Sequence, residues 1–202
     1  MLEAKVILWD NRFNNQLWRN DALTCVDGTN MDHPNYKPFW KGWFNHKTNG
    51  TGVAWEVALC IRTGHIVWIN GPYPPGMYPD ISIFRDALLS FLEQGERSEA
   101  DDGYFAKALL GSIFTPKGNT RDEIDAEQRQ LVRNFHETVN GRFKIWQCLE
   151  QECRHGVAKH SAMFRAVAVI TQLTIEAGEP LFAVDYDQAN YSTPEAFPLR
   201  LA

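Results

Sequence analysis

The stretch VAWEVALCIRTGHIVWINGP (53–72) decides the fold class. Two runs rich in β-branched and aromatic residues, 53–62 and 65–72, flank Thr63 and Gly64. Such runs around a two-residue link containing Gly read as a β-hairpin. Upstream, LTCVDG (23–28) is a short apolar run ending in an acid and a glycine, a buried strand that stops at a turn. Residues 30–50 read as a loop with the aromatic anchors Trp40, Trp43 and Phe44. Downstream, PYPPGMYP (72–79) is irregular, because its prolines fix φ and remove donors. Asp80 then stands as N-cap before ISIFRDALLSFLEQ, whose apolar residues at 81, 83, 84, 88, 91 and 92 share one helical face. ADDGYF (100–105) fits a strand end entering a turn. Leu131, Phe135, Val139, Phe143 and Trp146 predict a helix over 126–152, and a last helix over 158–177 stops at Gly178. This order predicts an α/β domain with a mixed sheet.

Composition narrows the function. With 202 residues, 44% of them hydrophobic and 22% charged, the chain can bury a core of its own and is not a disordered one. A net charge of −5 excludes a protein that coats nucleic acid through bulk positive charge. Four cysteines make no disulfide framework and point to a reducing compartment. The N-terminus lacks the pattern of a secretory signal, and no apolar run reaches the ~18 residues of a membrane span, so a soluble intracellular protein is expected. Charge is uneven. Residues 80–102 carry seven acids against two bases, and residues 133–165 carry six bases against three acids. No phosphate-binding glycine loop and no nucleophile elbow is present.

Chemistry concentrates in acids at element edges: Asp27 at the end of the first strand, Asp101 and Asp102 closing a later one, and Glu137 in the long helix. Three convergent carboxylates are hard oxygen ligands suited to Mg²⁺. Left bare, they repel one another, and a bound cation is the natural relief.

VDGTN (26–30) followed by WFNHKTNG (43–50) resembles the first block of the Harbinger-type transposases, the DDE superfamily endonucleases. GPYPPGMYPD (71–80) is similar to that family's Gly/Pro-rich turn ending in an acid. ADDGY (100–104) resembles its second acidic block, and RNFHETVNGRFK (133–144) its third, with an Arg four residues before the Glu and a Lys seven after it. The blocks keep the family's order over about residues 23 to 175. The resemblance implies a ribonuclease-H-like fold, a mixed five-stranded sheet flanked by helices. It divides the chain into a lead-in segment (1–20), a catalytic domain (21–178) and a C-terminal tail (179–202). It implies Asp27, Asp101 and Glu137 as catalytic and metal-binding residues holding two Mg²⁺ or Mn²⁺ ions, with 35 residues between the last two acids. Asp102 is the alternative second acid. Asp101 is preferred for its position before Gly103 and Tyr104, which leaves Asp102 in support.

The implied activity is cleavage of DNA phosphodiester bonds, and strand joining, by two-metal chemistry in the nucleus. Lys47, Arg133 and Lys144 are candidate DNA-backbone contacts. Only about 20 residues precede the first block here, so a separate DNA-binding protein is expected as a partner. The alternative from another class is a domesticated or inactive transposase-derived binding or scaffold module. A third is an unrelated metal-dependent phosphohydrolase, disfavoured by the lack of His-rich motifs. His136 reads as a partly exposed histidine without special role. Cys148, Cys153, His155 and His160 form C-x4-C-x-H-x4-H, whose single-residue insert departs from the long insert of zinc motifs.

Overall fold

A computed structural model of the chain describes residues 3–13, 22–34, 40–119, 123–153 and 155–182. Its centre is a six-stranded mixed sheet. β1 (Ala22–Asp32) pairs antiparallel with β3 (Gly50–Cys60) from Thr24↔Cys60 to Asp32↔Gly52. β4 (Ile66–Tyr73) returns along the other edge of β3, as the hairpin reading expects. The two-residue β2 (Phe44–Asn45) pairs with the start of β3. Across β1 lie β5 (Arg97–Glu99) and then β6 (Ile113–Phe114), both parallel to β1. The sheet therefore runs β4-β3-β1-β5-β6, with β2 added on β3.

Helices cover both faces, which is why β3 reads as a nearly unbroken apolar run and is buried along almost its whole length. On one face pack α4 (Glu123–Lys144) and α6 (Val157–Glu176). There Cys25, Val57 and Leu59 meet Val132, Phe135, Val139, Phe143 and Phe164. On the other face lie α2 (Asp80–Asp86) and the 3₁₀ turn Leu88–Phe91, where Val26, Ala58 and Cys60 meet Phe84, Leu88 and Tyr104. Neighbouring residues of β1 thus feed opposite cores, as the two-residue period of a strand requires. The Ile66 amide donates to buried Gln172 Oε1 at 2.6 Å, tying α6 to β4. Three short helices complete the description: α1 (Glu3–Val6), α3 (Pro116–Asn119) and α5 (Gln147–Glu150).

Several expectations are corrected. The sheet has six strands rather than five, because Phe44 and Asn45, expected in a loop, pair with Thr51 and Gly50. β1 does not stop at Gly28. Thr29 to Asp32 continue the ladder against Trp55 to Gly52, so Asp27 lies in mid-strand. The helix expected over 126–152 breaks after Lys144. At Trp146 the backbone is extended, and its carbonyl accepts from the Leu149 and Glu150 amides to start α5. Asp80 is not an N-cap but the first helical residue after Pro79. The last helix stops as expected, with Gly178 at φ +110°.

The segment expected as a lead-in is partly anchored. The 3₁₀ turn Trp9–Phe13 buries Arg12, whose Nε donates to Glu96 Oε1 at 2.6 Å and Nη2 to Oε2 at 3.1 Å. Both residues are 1% exposed. The C-terminal tail beyond residue 182 lies outside the described residues. Breaking a buried pair strands its other charge. Arg12→Met is therefore expected to lower the unfolding free energy by about 3–5 kcal/mol. Arg12→Met/Glu96→Gln should recover part of that loss, and chemical denaturation of the three proteins checks it.

Candidate functional site

Strand register brings the first two acids together. The parallel pairing of β1 with β5 ends at Cys25↔Glu99. Asp27 and Asp101 each lie two residues beyond that last pair, where the parallel strands part. Open α/β sheets bind ligands in such crevices, at the carboxyl ends of their strands. Each acid has one backbone donor in place. The Gly28 N–H donates to Asp27 Oδ1 at 2.7 Å, and the Gly103 N–H to Asp101 Oδ1 at 2.8 Å.

A third acid enters from the opposite side. The Asp80 carboxylate lies against β1 at Gly28, where a Cβ would collide with Asp80 Oδ1. A Cβ on Gly103 would meet Asp101 Oδ1 at 2.9 Å and Asp80 Oδ2 at 3.5 Å, so both carboxylates flank that glycine. Lys47 Nζ donates to Asp80 Oδ2 at 2.9 Å. Asn45, Lys47, Tyr78, Asp80, Asp101 and Gly103 line one open cleft.

The charges feel one another. Burial, then the Asp101 charge, pushes Asp27 up to about 7, with Asp80 adding and the Gly28 amide and Lys47 opposing. Burial opposes the charge of Lys47, but the hydrogen bond and charge of Asp80, with the charges of Asp101 and Asp27, outweigh it and raise its pKa. Glu56, opposite Gly28 in the β1–β3 register, is fully buried and pushed up to about 8, chiefly by that burial. Its Oε1 accepts from the Trp68 indole at 3.0 Å.

The other expected site residues are placed as follows. Glu137 is exposed on α4, and among the described residues no hydrogen bond or ion pair joins it to Asp27 or Asp101. It shares a flank of the helix with Arg133, one turn earlier. Arg133 is committed to the protein: Nη1 donates at 3.1 Å to Glu99, two residues before Asp101. Lys144 is exposed on the same flank. Asp102 turns away, its Oδ1 accepting from the Lys117 amide at 2.9 Å at the start of α3. Among the described residues no three His, Cys, Asp or Glu side chains are gathered to hold a metal ion as they stand.

His136 corrects the sequence reading. It is 3% exposed rather than partly exposed, sits beneath the sheet against the Cys25 backbone, and burial lowers its pKa to about 4. The aromatic loop is divided. Trp43 packs on the core, while Trp40 is 49% exposed and meets Trp43 edge-on at 5.6 Å. The Cys/His cluster is divided too. Cys148, Cys153 and His155 border one shallow cleft, whereas His160 is buried between the rings of Trp55 and His33.

Sequence reasoning missed Asp80 and Glu56 as members of this site. The available signal for Glu56 was a lone acid inside the apolar run VAWEVALC. For Asp80 the signal was the acid that ends the Gly/Pro-rich block GPYPPGMYPD; it was read as a helix cap because an acid opening a helix is ordinary.

Asp27 titrates higher in the folded chain than the 3.8 of an unperturbed carboxyl. Between those values the folded state holds more protons, so its charge costs stability as pH rises towards and past 7 and costs nothing below about 4. Asp27→Asn keeps the Gly28 acceptor and removes that charge. Its melting temperature is expected to exceed the wild-type value by roughly 2–4 °C at pH 8 and to match it near pH 4, in paired thermal scans. Comparison of the chain with protein-family models, with curated proteins and with solved structures gives no match.

Proposed function

We propose that the chain is a divalent-metal-dependent nuclease of the DDE transposase type, with a ribonuclease-H-like sheet. The observation that carries this reading is the pair Asp27 and Asp101, each two residues past the end of the β1–β5 ladder, with burial and then the Asp101 charge lifting Asp27 to about 7. The strand order supports it as well: an antiparallel β1-β3-β4 unit continued by two strands parallel to β1. So do the four sequence blocks in family order.

The donor set fits a hard cation. It offers carboxylate oxygens without thiolate, and the mutual repulsion that raises Asp27 is what a cation would relieve. Asp27 and Asp101 would hold the metal, with Glu137 as third acid from the neighbouring helix flank. Bound Mg²⁺ or Mn²⁺, as a pair of ions, would activate a water or a DNA 3′-hydroxyl and stabilise the leaving oxygen. The protein's own part is to fix the two acids on a rigid sheet and keep Asp27 half-buried. Exposed Lys144 would face a phosphate backbone, as would Lys47, whose side chain is 63% exposed although paired with Asp80, while Arg133 ties the β5 end through Glu99. The excess of acids over bases makes a separate DNA-binding partner part of the reading.

Purified protein is expected to nick duplex DNA with Mn²⁺ and not with EDTA. Asp27→Asn and Asp101→Asn should each cut the rate by about 100-fold or more, some 2.7 kcal/mol of transition-state stabilisation. Nicking by Asp27→Asn at the wild-type rate would overturn the assignment. The exposure of Glu137 favours a second reading, a transposase-derived binding module without catalysis. Under it, DNA is retained, and neither Mn²⁺ nor Asp27→Asn changes anything.

A further inference from the structure

Asp80 is held in an unusual way for the first residue of a helix. An acid there normally turns towards the free amides of the first turn. The Asp80 carboxylate instead crosses to β1 and rests on Gly28, where a side chain would keep it off, with Gly103 beside it. Its side chain is only 13% exposed. Among the described residues its one hydrogen-bond partner is the ammonium of Lys47. That lysine is the exposed half of the pair, its side chain 63% open to solvent.

A second, independent observation lies behind the carboxylates. The Tyr104 hydroxyl is fully buried and has no hydrogen-bond partner among the described residues. Tyr104 follows Gly103 directly and packs in one cluster with Val26, the neighbour of Asp27, and the charges of Glu56, Asp80, Asp27 and Asp101 all act on it. Glu56 Oε2 is buried as well and, among the described residues, makes no well-formed hydrogen bond, although the Asn70 side chain favours the charged carboxylate. Buried oxygens left unsatisfied call for a water or an ion. A divalent cation that keeps part of its water shell binds one or two carboxylates directly and others through those waters.

Resting on the nuclease reading and going beyond it, we propose that Asp80 is a further acid of the cation site and that Lys47 is its resident counter-ion, exchanged when a divalent metal enters. Lys47 neutralises the acids in the metal-free protein and is released into the cleft as the metal takes its place. The exchange leaves an ammonium beside the metal, facing the groove that would receive a phosphate.

The test is Mn²⁺ binding by the full chain without DNA, followed by calorimetry and by the electron paramagnetic resonance of free Mn²⁺. Asp80→Asn should weaken binding by roughly 10–100-fold, as loss of a supporting metal-site carboxylate does. Lys47→Met should tighten it by about two- to fivefold, the worth of one largely exposed ion pair. The opposite signs matter, because a variant that merely damages the fold weakens binding. Lys47→Met also keeps the proposal open to refutation should Asp80→Asn fail to fold. If Asp27→Asn loses binding while Asp80→Asn binds within twofold of wild type, Asp80 is not part of the site and the nuclease reading stands. If Lys47→Met binds no tighter than wild type, Lys47 is not the counter-ion. If the wild-type chain shows no saturable binding at millimolar Mn²⁺, this inference and the nuclease reading fall together.

Discussion

Two like charges held side by side organise the candidate site. The β1–β5 ladder is short, and it ends two residues before Asp27 and Asp101. Were it longer, both positions would be tied to one another's strand. Ending where it does, it opens a fork on that edge of β1, while β3 still holds Asp27 from the other edge through Val57. Repulsion at such a fork is tolerated because the sheet on either side is over-determined. β1 and β3 pair along most of their length, and helices close both faces. Stability gathered in the apolar layers offsets the strain kept at the acids.

Glycine placement is the second constraint. Gly28 follows Asp27 directly and Gly103 follows Asp101 by two. Each provides an amide for its acid; Gly28 also leaves room for Asp80, and Gly103 leaves room for the Asp101 carboxylate that its amide binds. The sequences VDG and DDG are thus more than turn signals. In β1 the glycine sits inside a continuous strand, where its use is the close approach of another chain segment.

Much of the fold was legible from local pattern. The 53–72 hairpin and the last helix ending at Gly178 follow from periodicity and punctuation, because each is decided by neighbours in sequence; the helix expected after the proline-rich turn covers only Asp80–Asp86 and breaks at Ala87 before the 3₁₀ turn Leu88–Phe91. What failed to show was decided by distant partners. β1 runs past Gly28 only because β3 lies beside it, and Phe44–Asn45 becomes a strand only because Gly50 and Thr51 offer an edge. His136 looked exposed from its polar neighbours, but it faces the sheet with Val132, Phe135 and Val139. In the site, Asp27 was visible as an acid after an apolar run, and Asp101 as an acid at a strand end before Gly103 and Tyr104. Asp80 was read only as a helix cap, since its place at Gly28 depends on a glycine far away in sequence.

The buried pair of Arg12 and Glu96 has a bearing on chain entropy. Its partners are 84 residues apart in the chain. The pocket that receives the guanidinium includes the Glu93–Glu96 turn, whose amide at Glu93 binds the same carboxylate. That turn is closed locally, by the Glu96 amide on the Glu93 carbonyl. The N-terminal 3₁₀ turn is thus a clasp across the domain, and the entropy of closing so wide a loop is offset by a preshaped receptor.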